Sequence, residues 1–247
     1  MITQNATQER NWKAGNKMNT KIHLVDRNES VVKAWKTEFI TYDNVQPHQD
    51  DIMNWAEKVD VFVSASNSLM FFDGGSDIAY QQIFDNVDQM MKEWIRQYNF
   101  KDEFGGYFFP VGAATIRPIK DKRLICCPTM LLPQDVSETE NAYHAFKLIL
   151  EVIDKQEQKI KSVLIPGLCC GYGKMSPEVS AKQMRAAYDD HMAGKKILDT
   201  TSRECRSLVY NPTILRMQPK VYSNTQFFKI DISEILETLN KNSAIKR

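Results

Sequence analysis

Residues 61–77 read VFVSASNSLMFFDGGSD. With the two residues before it, the stretch opens as VDVFVSA (59–65), a nearly continuous apolar run of the kind that fills a strand covered on both faces. The run stops at Asn67. Asp73-Gly74-Gly75-Ser76-Asp77 then leads into a helix starting at Asp77. Adjacent glycines permit φ > 0 and let a backbone approach a ligand without a Cβ in the way. The Asn67 amide can hydrogen-bond a sugar hydroxyl, and the Asp77 carboxylate can accept from a hydroxyl or orient a water. A plain turn with Asp77 as helix cap accounts for the same residues without a ligand.

Working outward, KIHLVD (21–26) reads as a first strand and 29–39 as a helix, with Val31, Val32, Trp35 and Phe39 at helical spacing and Asp26 or Asn28 as cap. FITYD (39–43) reads as a short second strand and 50–58 as a weakly amphipathic helix. Val87, Met90, Met91, Trp94, Ile95 and Tyr98 form a helical stripe that predicts a helix over 87–98. YFFPVGAATIRPI (107–119) and RLICCPTM (123–130) read as strands joined by a polar turn at Lys120–Lys122. Ser137 and Glu140 have capping-box spacing ahead of a helix carrying Tyr143, Phe146, Ile149, Leu150 and Ile153 on one face. KSVLIP (161–166) is a further buried strand, and a helix follows over about 177–192. Near the end, KVYS (220–223) and QFFKIDI (226–232) read as strand and SEILETLNK (233–241) as helix. Strands alternating with helices, with glycines at strand ends, indicate a three-layer α/β fold whose ligands sit beyond the carboxyl ends of the strands.

The second glycine-rich segment is Pro166-Gly167-Leu168-Cys169-Cys170-Gly171-Tyr172-Gly173. It follows a strand and precedes a helix with Ser176 as cap, Pro177 in the first turn and Glu178 at the positive end. Backbone N–H groups in such a loop can form an anion nest for a diphosphate. A Walker A loop is excluded by five residues between Gly167 and Gly173 and by Met175 where Ser or Thr should stand. GxGxxG fails at Ser176, and the spacing of a cysteine phosphatase fails because Met175 and Ser176 stand where Arg is needed. Cys169 and Cys170 are therefore read as small loop residues rather than nucleophiles.

Size and charge exclude several function classes. The chain has 247 residues and a formal net charge of +1, so no global field calls for nucleic acid or an anionic membrane. A basic stretch at 195–220 contains Glu204 and Asp199 among its cations and reads as a mixed-charge surface. The polar start has no apolar h-region, and no segment approaches the roughly 20 apolar residues of a membrane helix. Residues 1–19 read as a disordered extension and 20–247 as one domain, with 196–247 extending its core. The 4 histidines are scattered and the 5 cysteines form no CxxC pair, so no metal is expected. Unpaired thiols suit a reducing, cytoplasmic setting. No residue pattern points to an oligomeric state.

Together these segments resemble the macro domain, the ADP-ribose-binding module. Ser64-Ala65-Ser66-Asn67-Ser68, then Gly74-Gly75, then Asp77 follow the macro pattern of N-A-A-N-S, a glycine-rich loop and an aspartate ten residues after the second Asn. Cys169-Cys170-Gly171-Tyr172-Gly173 is similar to the second macro loop, S-T-G-x-Y-G. The opening KIHLVDRNESVVKAW, ICCPTMLLP, NAY and IPGLCCGYGKMSP resemble a divergent macro-like branch that includes fungal ADP-ribose-1″-phosphate phosphatase-like and phage macro-like proteins. The resemblance covers about 20–195. Ser64 replaces the first Asn of the pattern. Gly173 stands where an aromatic usually flanks the distal ribose, leaving Tyr172 as its displaced counterpart.

The resemblance implies a mixed sheet with helices on both faces and an ADP-ribose-type small-molecule ligand, without a cofactor. It implies that 61–77 holds the distal ribose and its phosphate, with Asn67 and Asp77 as catalytic residues and Ser66, Asp73, Gly74 and Gly75 at the ligand. Gly167, Leu168, Cys169, Cys170, Gly171, Tyr172 and Gly173 would cup the diphosphate. The family's adenine-reading acid follows a Gly and precedes Ile; the corresponding point is taken as Asn44 before Val45, with Asp43 adjacent and Asp26 as another candidate. The implied activity is hydrolysis of ADP-ribose-1″-phosphate or a related ADP-ribose derivative; the alternative is a reader that binds without turnover.

Overall fold

The computed structural model describes residues 18–98 and 106–195. The strands expected at 220–223 and 226–232, the helix at 233–241 and the basic stretch beyond 195 lie outside the described residues. So do most of the expected N-terminal extension and Cys205. Met18 is already buried in the core, so the folded part begins before the expected boundary at residue 20.

Six strands form one sheet: β1 (Lys21–Asp26), β2 (Val45–Gln49), β3 (Val61–Ser64), β4 (Thr115–Ile119), β5 (Lys122–Cys126) and β6 (Ser162–Ile165). Their order across the sheet is β2-β1-β6-β3-β5-β4. All neighbours are parallel except β4 and β5, which form an antiparallel hairpin. The helices are α1 (Glu29–Glu38), α2 (Ser76–Ile83), α3 (Val87–Ile95), α4 (Asn141–Asp154) and α5 (Pro177–Met192). Alternation along the strands sorts two cores. Val61, Val63, Ile125, Val163 and Ile165 face α1, α4 and α5. Phe62, Leu124, Cys126 and Leu164 face α2 and α3. The result is a three-layer α/β/α fold with a mixed sheet, and the central strands are apolar throughout because helices cover both faces.

Several local expectations are corrected. Residues 39–43 are not a strand: Phe39 caps α1 and Tyr42 N–H donates back to its carbonyl over 3.1 Å. The second strand is the polar VQPHQ, which tolerates Pro47 because β2 is an edge strand. The expected helix at 50–58 shrinks to a 3-10 turn, Ile52–Trp55. Of 107–119 only Thr115–Ile119 is strand, and β5 ends at Cys126. Lys120, at φ +56, turns the chain between them. The Ser137–Glu140 capping box does not form. The Ser137 hydroxyl donates to Asp135, and α4 begins at Asn141 with no side-chain cap from Glu140. In the expected 87–98 helix, α3 ends at Ile95 with a 3-10 turn following, and Met90 points to solvent. The cap expectations at Asn28 and Ser176 hold, each side chain accepting from a first-turn N–H.

Candidate functional site

Parallel β1, β3, β5 and β6 bring their carboxyl ends to one edge, where their following loops enclose a cleft of about 410 Å³. The strand order sets the sequence of its walls. Asp50, Asp51, Ile52 and Met53 follow β2, and Asp26 ends β1. Gly167 follows β6, and Asn67 to Asp77 follow β3. Thr129 and Met130, after β5, run beside the β3 loop: Thr129 N–H donates to Ser66 O over 3.0 Å and Ser68 N–H to Met130 O over 2.9 Å.

The β3 loop is shaped by Asn67. Its Oδ1 accepts from Leu69 N–H at 3.1 Å and Phe71 N–H at 3.3 Å, and its Nδ2 donates to Phe71 O at 3.2 Å. The amide that sequence reasoning assigned to a sugar therefore organises its own loop, leaving one N–H of the amide for the cleft it lines. Gly75 follows at φ +57, ψ −133, a conformation that is nearly glycine-only, and starts α2. Asp77, in the first turn of α2, is buried at 7% exposure and lines the cleft. The Ser64 hydroxyl donates to Asp77 Oδ1 over 2.7 Å. Burial pushes the Asp77 carboxyl up to about 7; the Ser64 hydrogen bond pulls it down, and the Asp73 charge pushes it further up. Near neutral pH this carboxyl is both a proton donor and a proton acceptor.

The β6 loop is held from below. The Ser180 hydroxyl, on α5, donates to Leu168 O over 2.7 Å, and Met175 N–H donates to Cys169 O over 3.0 Å. A Cβ on Gly167 would lie 2.6 Å from Asp26 Oδ2, so the backbone there passes directly over that carboxylate. Cys169 sits at φ +64. Burial pushes its thiol far above the ordinary range and that of Cys170 to about 11, so neither is a thiolate nucleophile near neutral pH. The two glycine loops meet across the cleft: a Cβ on Gly74 would lie 2.7 Å from the Tyr172 ring.

The cleft thus gathers Asn67, Asp73, Gly74, Gly75, Asp77, Gly167, Cys169, Gly171 and Tyr172. The side chains of Ser66, Leu168 and Cys170, and Gly173, are not among the residues lining the cleft. Ser66 is buried with its hydroxyl 3.3 Å from Met70 Sδ, and Leu168 is core. Cys170 Sγ turns to Leu168 O, and Gly173 packs so tightly that a Cβ would meet Cys169 O at 2.4 Å. Asn44 lies at the amino end of β2, the far end of the strand from the cleft, where its carbonyl pairs with Ile22 N–H and its side chain joins Tyr188 OH and Thr20 O. At the β2 end, Asp51 before Ile52 is an acidic residue that precedes an Ile and lines the cleft, as Asp77 before Ile78 does at the start of α2. Asp51 was not among the expected site residues, because 50–58 reads as a weakly amphipathic helix; the Asp51-Ile52 pair is the sequence signal for it. Among the described residues, no three His, Cys, Asp or Glu side chains converge to hold a metal. No helix there is long and apolar enough to cross a membrane.

Among solved structures the chain is similar to the macrodomain of Mycobacterium tuberculosis DarG, at 14% identity over 55% of this chain and 84% of that one, TM-score 0.44. It is also similar to an Oceanobacillus iheyensis macrodomain with ADP, at 16% identity over 60% and 75%, TM-score 0.47. No family model matches. An uncharacterized protein of Aquifex aeolicus is 30% identical over 128 residues, covering 51% of this chain and 70% of that protein. The chain therefore belongs to one family with this Aquifex aeolicus protein.

Proposed function

We propose that the cleft binds an ADP-ribose-type nucleotide and hydrolyses a derivative of it at the distal ribose. The sequence resemblance to the macro domain names ADP-ribose-1″-phosphate as one such derivative. The observation that carries the reading is the meeting of two glycine loops, Gly74 under Tyr172, over a cleft that ends on the buried carboxyl of Asp77. Among the described residues, the N–H groups of Cys169, Cys170, Gly171 and Tyr172 have no protein acceptor, so they are donors for a diphosphate. The start of α2 adds its positive end beside Gly75. Asp51, before Ile52, takes the adenine-reading role first given to Asn44. Asp77 handles the proton at the 1″ position. Asn67 shapes the loop around the distal ribose.

A second reading, a reader that binds without turnover, is favoured by one observation: Asn67 spends its carbonyl and one N–H on its own loop. Calorimetric titration with ADP-ribose tests the binding common to both. Release of ADP-ribose from its 1″ derivatives separates them. Micromolar binding with turnover lost in Asp77→Ala supports the hydrolase, and binding without any turnover supports the reader.

A further inference from the structure

Two imidazoles face each other at the β2 edge of the sheet, apart from both glycine loops. His23 on β1 and His48 on β2 are 25 positions apart in sequence, yet His23 Nδ1 lies 3.1 Å from His48 Nε2. The parallel register explains the meeting. His23 pairs with Gln46 and Val25 with His48, so both rings leave the same face of the sheet from adjacent strands. Trp55, in the turn after β2, packs against both, its ring centroid 4.8 Å from that of His23 and 4.6 Å from that of His48. The indole N–H donates to Asp50 Oδ2 over 3.0 Å, which fixes the indole in place. Burial pushes His23 down to about 4 and His48 below its ordinary value, so near pH 7 both rings are neutral and each carries a nitrogen lone pair.

Two neutral imidazoles at this distance can share one N–H···N bond, or they can turn both lone pairs onto a single ion. With metal–nitrogen bonds of about 2.0–2.1 Å, the 3.1 Å separation corresponds to an angle of about 100° at the metal, between the square-planar and tetrahedral values. The ring that donates in the shared bond moves its proton to its other nitrogen, and no net proton is released. The surrounding charge selects the class of ion. Lys21 bears on His23, and Lys36 and Lys58 bear on His48, with Asp50 as the opposing carboxylate. A hard cation such as magnesium, held by charge through oxygen ligands, is disfavoured there; a late first-row ion, bound through imidazole nitrogen, is not. We propose that His23 and His48 form a two-imidazole site for a late first-row divalent ion, copper(II), nickel(II) or zinc(II), which ties the edge strand β2 to β1 and fills its other positions with water. This site is independent of what the cleft binds.

The test is titration of the full chain with nickel(II) alone, which leaves the thiols unoxidised, read by tryptophan fluorescence and thermal melting. Nickel held beside Trp55 should quench its emission, and the quench should be largely lost in Trp55→Phe. The melting temperature should rise with nickel concentration, since the ion binds the folded pair and not the separated histidines of the unfolded chain. Magnesium at the same concentration should produce neither change. His23→Gln and His48→Gln, each first melted without metal to show that it is folded, should weaken nickel binding by at least about tenfold, the loss that even outer partners of a metal ligand produce. Should one histidine variant fail to fold, the other decides by the same criterion. Unchanged nickel affinity in a folded histidine variant, a quench that survives in Trp55→Phe, or no response to nickel at millimolar concentration overturns the site.

Discussion

The Ser64 hydroxyl donates to Asp77 Oδ1 over 2.7 Å, joining the last residue of β3 to the first turn of α2 across 13 positions of sequence. Ser64 is fully buried, and Asp77 nearly so, so the pair sits where a bare carboxylate is costly. The single hydrogen bond stabilises the ionised form, burial opposes it, and burial wins. Ser64, one of the two departures noted in the sequence, is thus the residue that touches the candidate acid.

Asp77→Asn should remove turnover by about 100-fold or more while changing ligand affinity little, because the amide keeps the shape and loses the proton. Its effect on stability should depend on pH. The folded-state value is raised from 3.8 to about 7, so the native state holds the proton more tightly than the unfolded chain. Stability contributed by the protonated group is complete below about 4 and is lost as pH rises to about 7, by on the order of 4 kcal/mol at most. The variant should therefore melt higher than the parent at pH 8, with little gain at pH 4.5. Thermal melts at the two pH values decide this; an equal shift at both contradicts the raised value.

Ser64→Ala should move the pH dependence of kcat upward, since the one contact that favours the ionised Asp77 is gone. It should also destabilise the fold by about 1–3 kcal/mol at pH 8, where the carboxylate is left without its donor, and by less at pH 5. Ser64→Thr, which keeps the hydroxyl, should restore the parent profile if its extra methyl fits. A pH–rate series reads this out.

Gly171 and Gly173 are two residues apart and should respond oppositely to alanine. A Cβ at Gly171 meets nothing within 4 Å, and one at Gly173 meets the Cys169 carbonyl at 2.4 Å and Val136 Cγ2 at 2.7 Å. Gly173→Ala should cost about 1–3 kcal/mol, as expected of overpacking against backbone. Gly171→Ala should leave the melting temperature unchanged and weaken ADP-ribose binding, since that residue lines the cleft. Denaturant titration beside calorimetry distinguishes the pair.

Asn44→Ala should leave ligand affinity unchanged and lower stability by about 1 kcal/mol. Its side chain accepts from Tyr188 OH at 2.8 Å and donates to Thr20 O at 3.3 Å, away from the cleft. Asp51→Asn, at the cleft wall, should do the reverse. Any marked loss of binding in Asn44→Ala would return that residue to the adenine site.

Local pattern alone determined the elements whose energetics are local. The apolar runs at 21–26, 59–65 and 161–166 are central strands because both faces of the sheet are covered, and α1, α4 and α5 follow from helical spacing and, for α1 and α5, from caps at Asn28 and Ser176. The two glycine loops and Asp77 were also legible, since a strand end followed by glycine and a helix start is a local signal. What the tertiary structure alone decided depends on neighbours distant in sequence. VQPHQ is a strand only because β1 offers it an edge. Asn44 and Asp51, seven positions apart, flank opposite ends of β2, so only Asp51 falls at the carboxyl ends of the strands where the cleft lies. Asn67 turned inward to bind its own loop. The ionisation of Asp77 was the least legible of all, because it is set by burial against the sheet and by a hydroxyl on another element, neither of which a linear spacing contains.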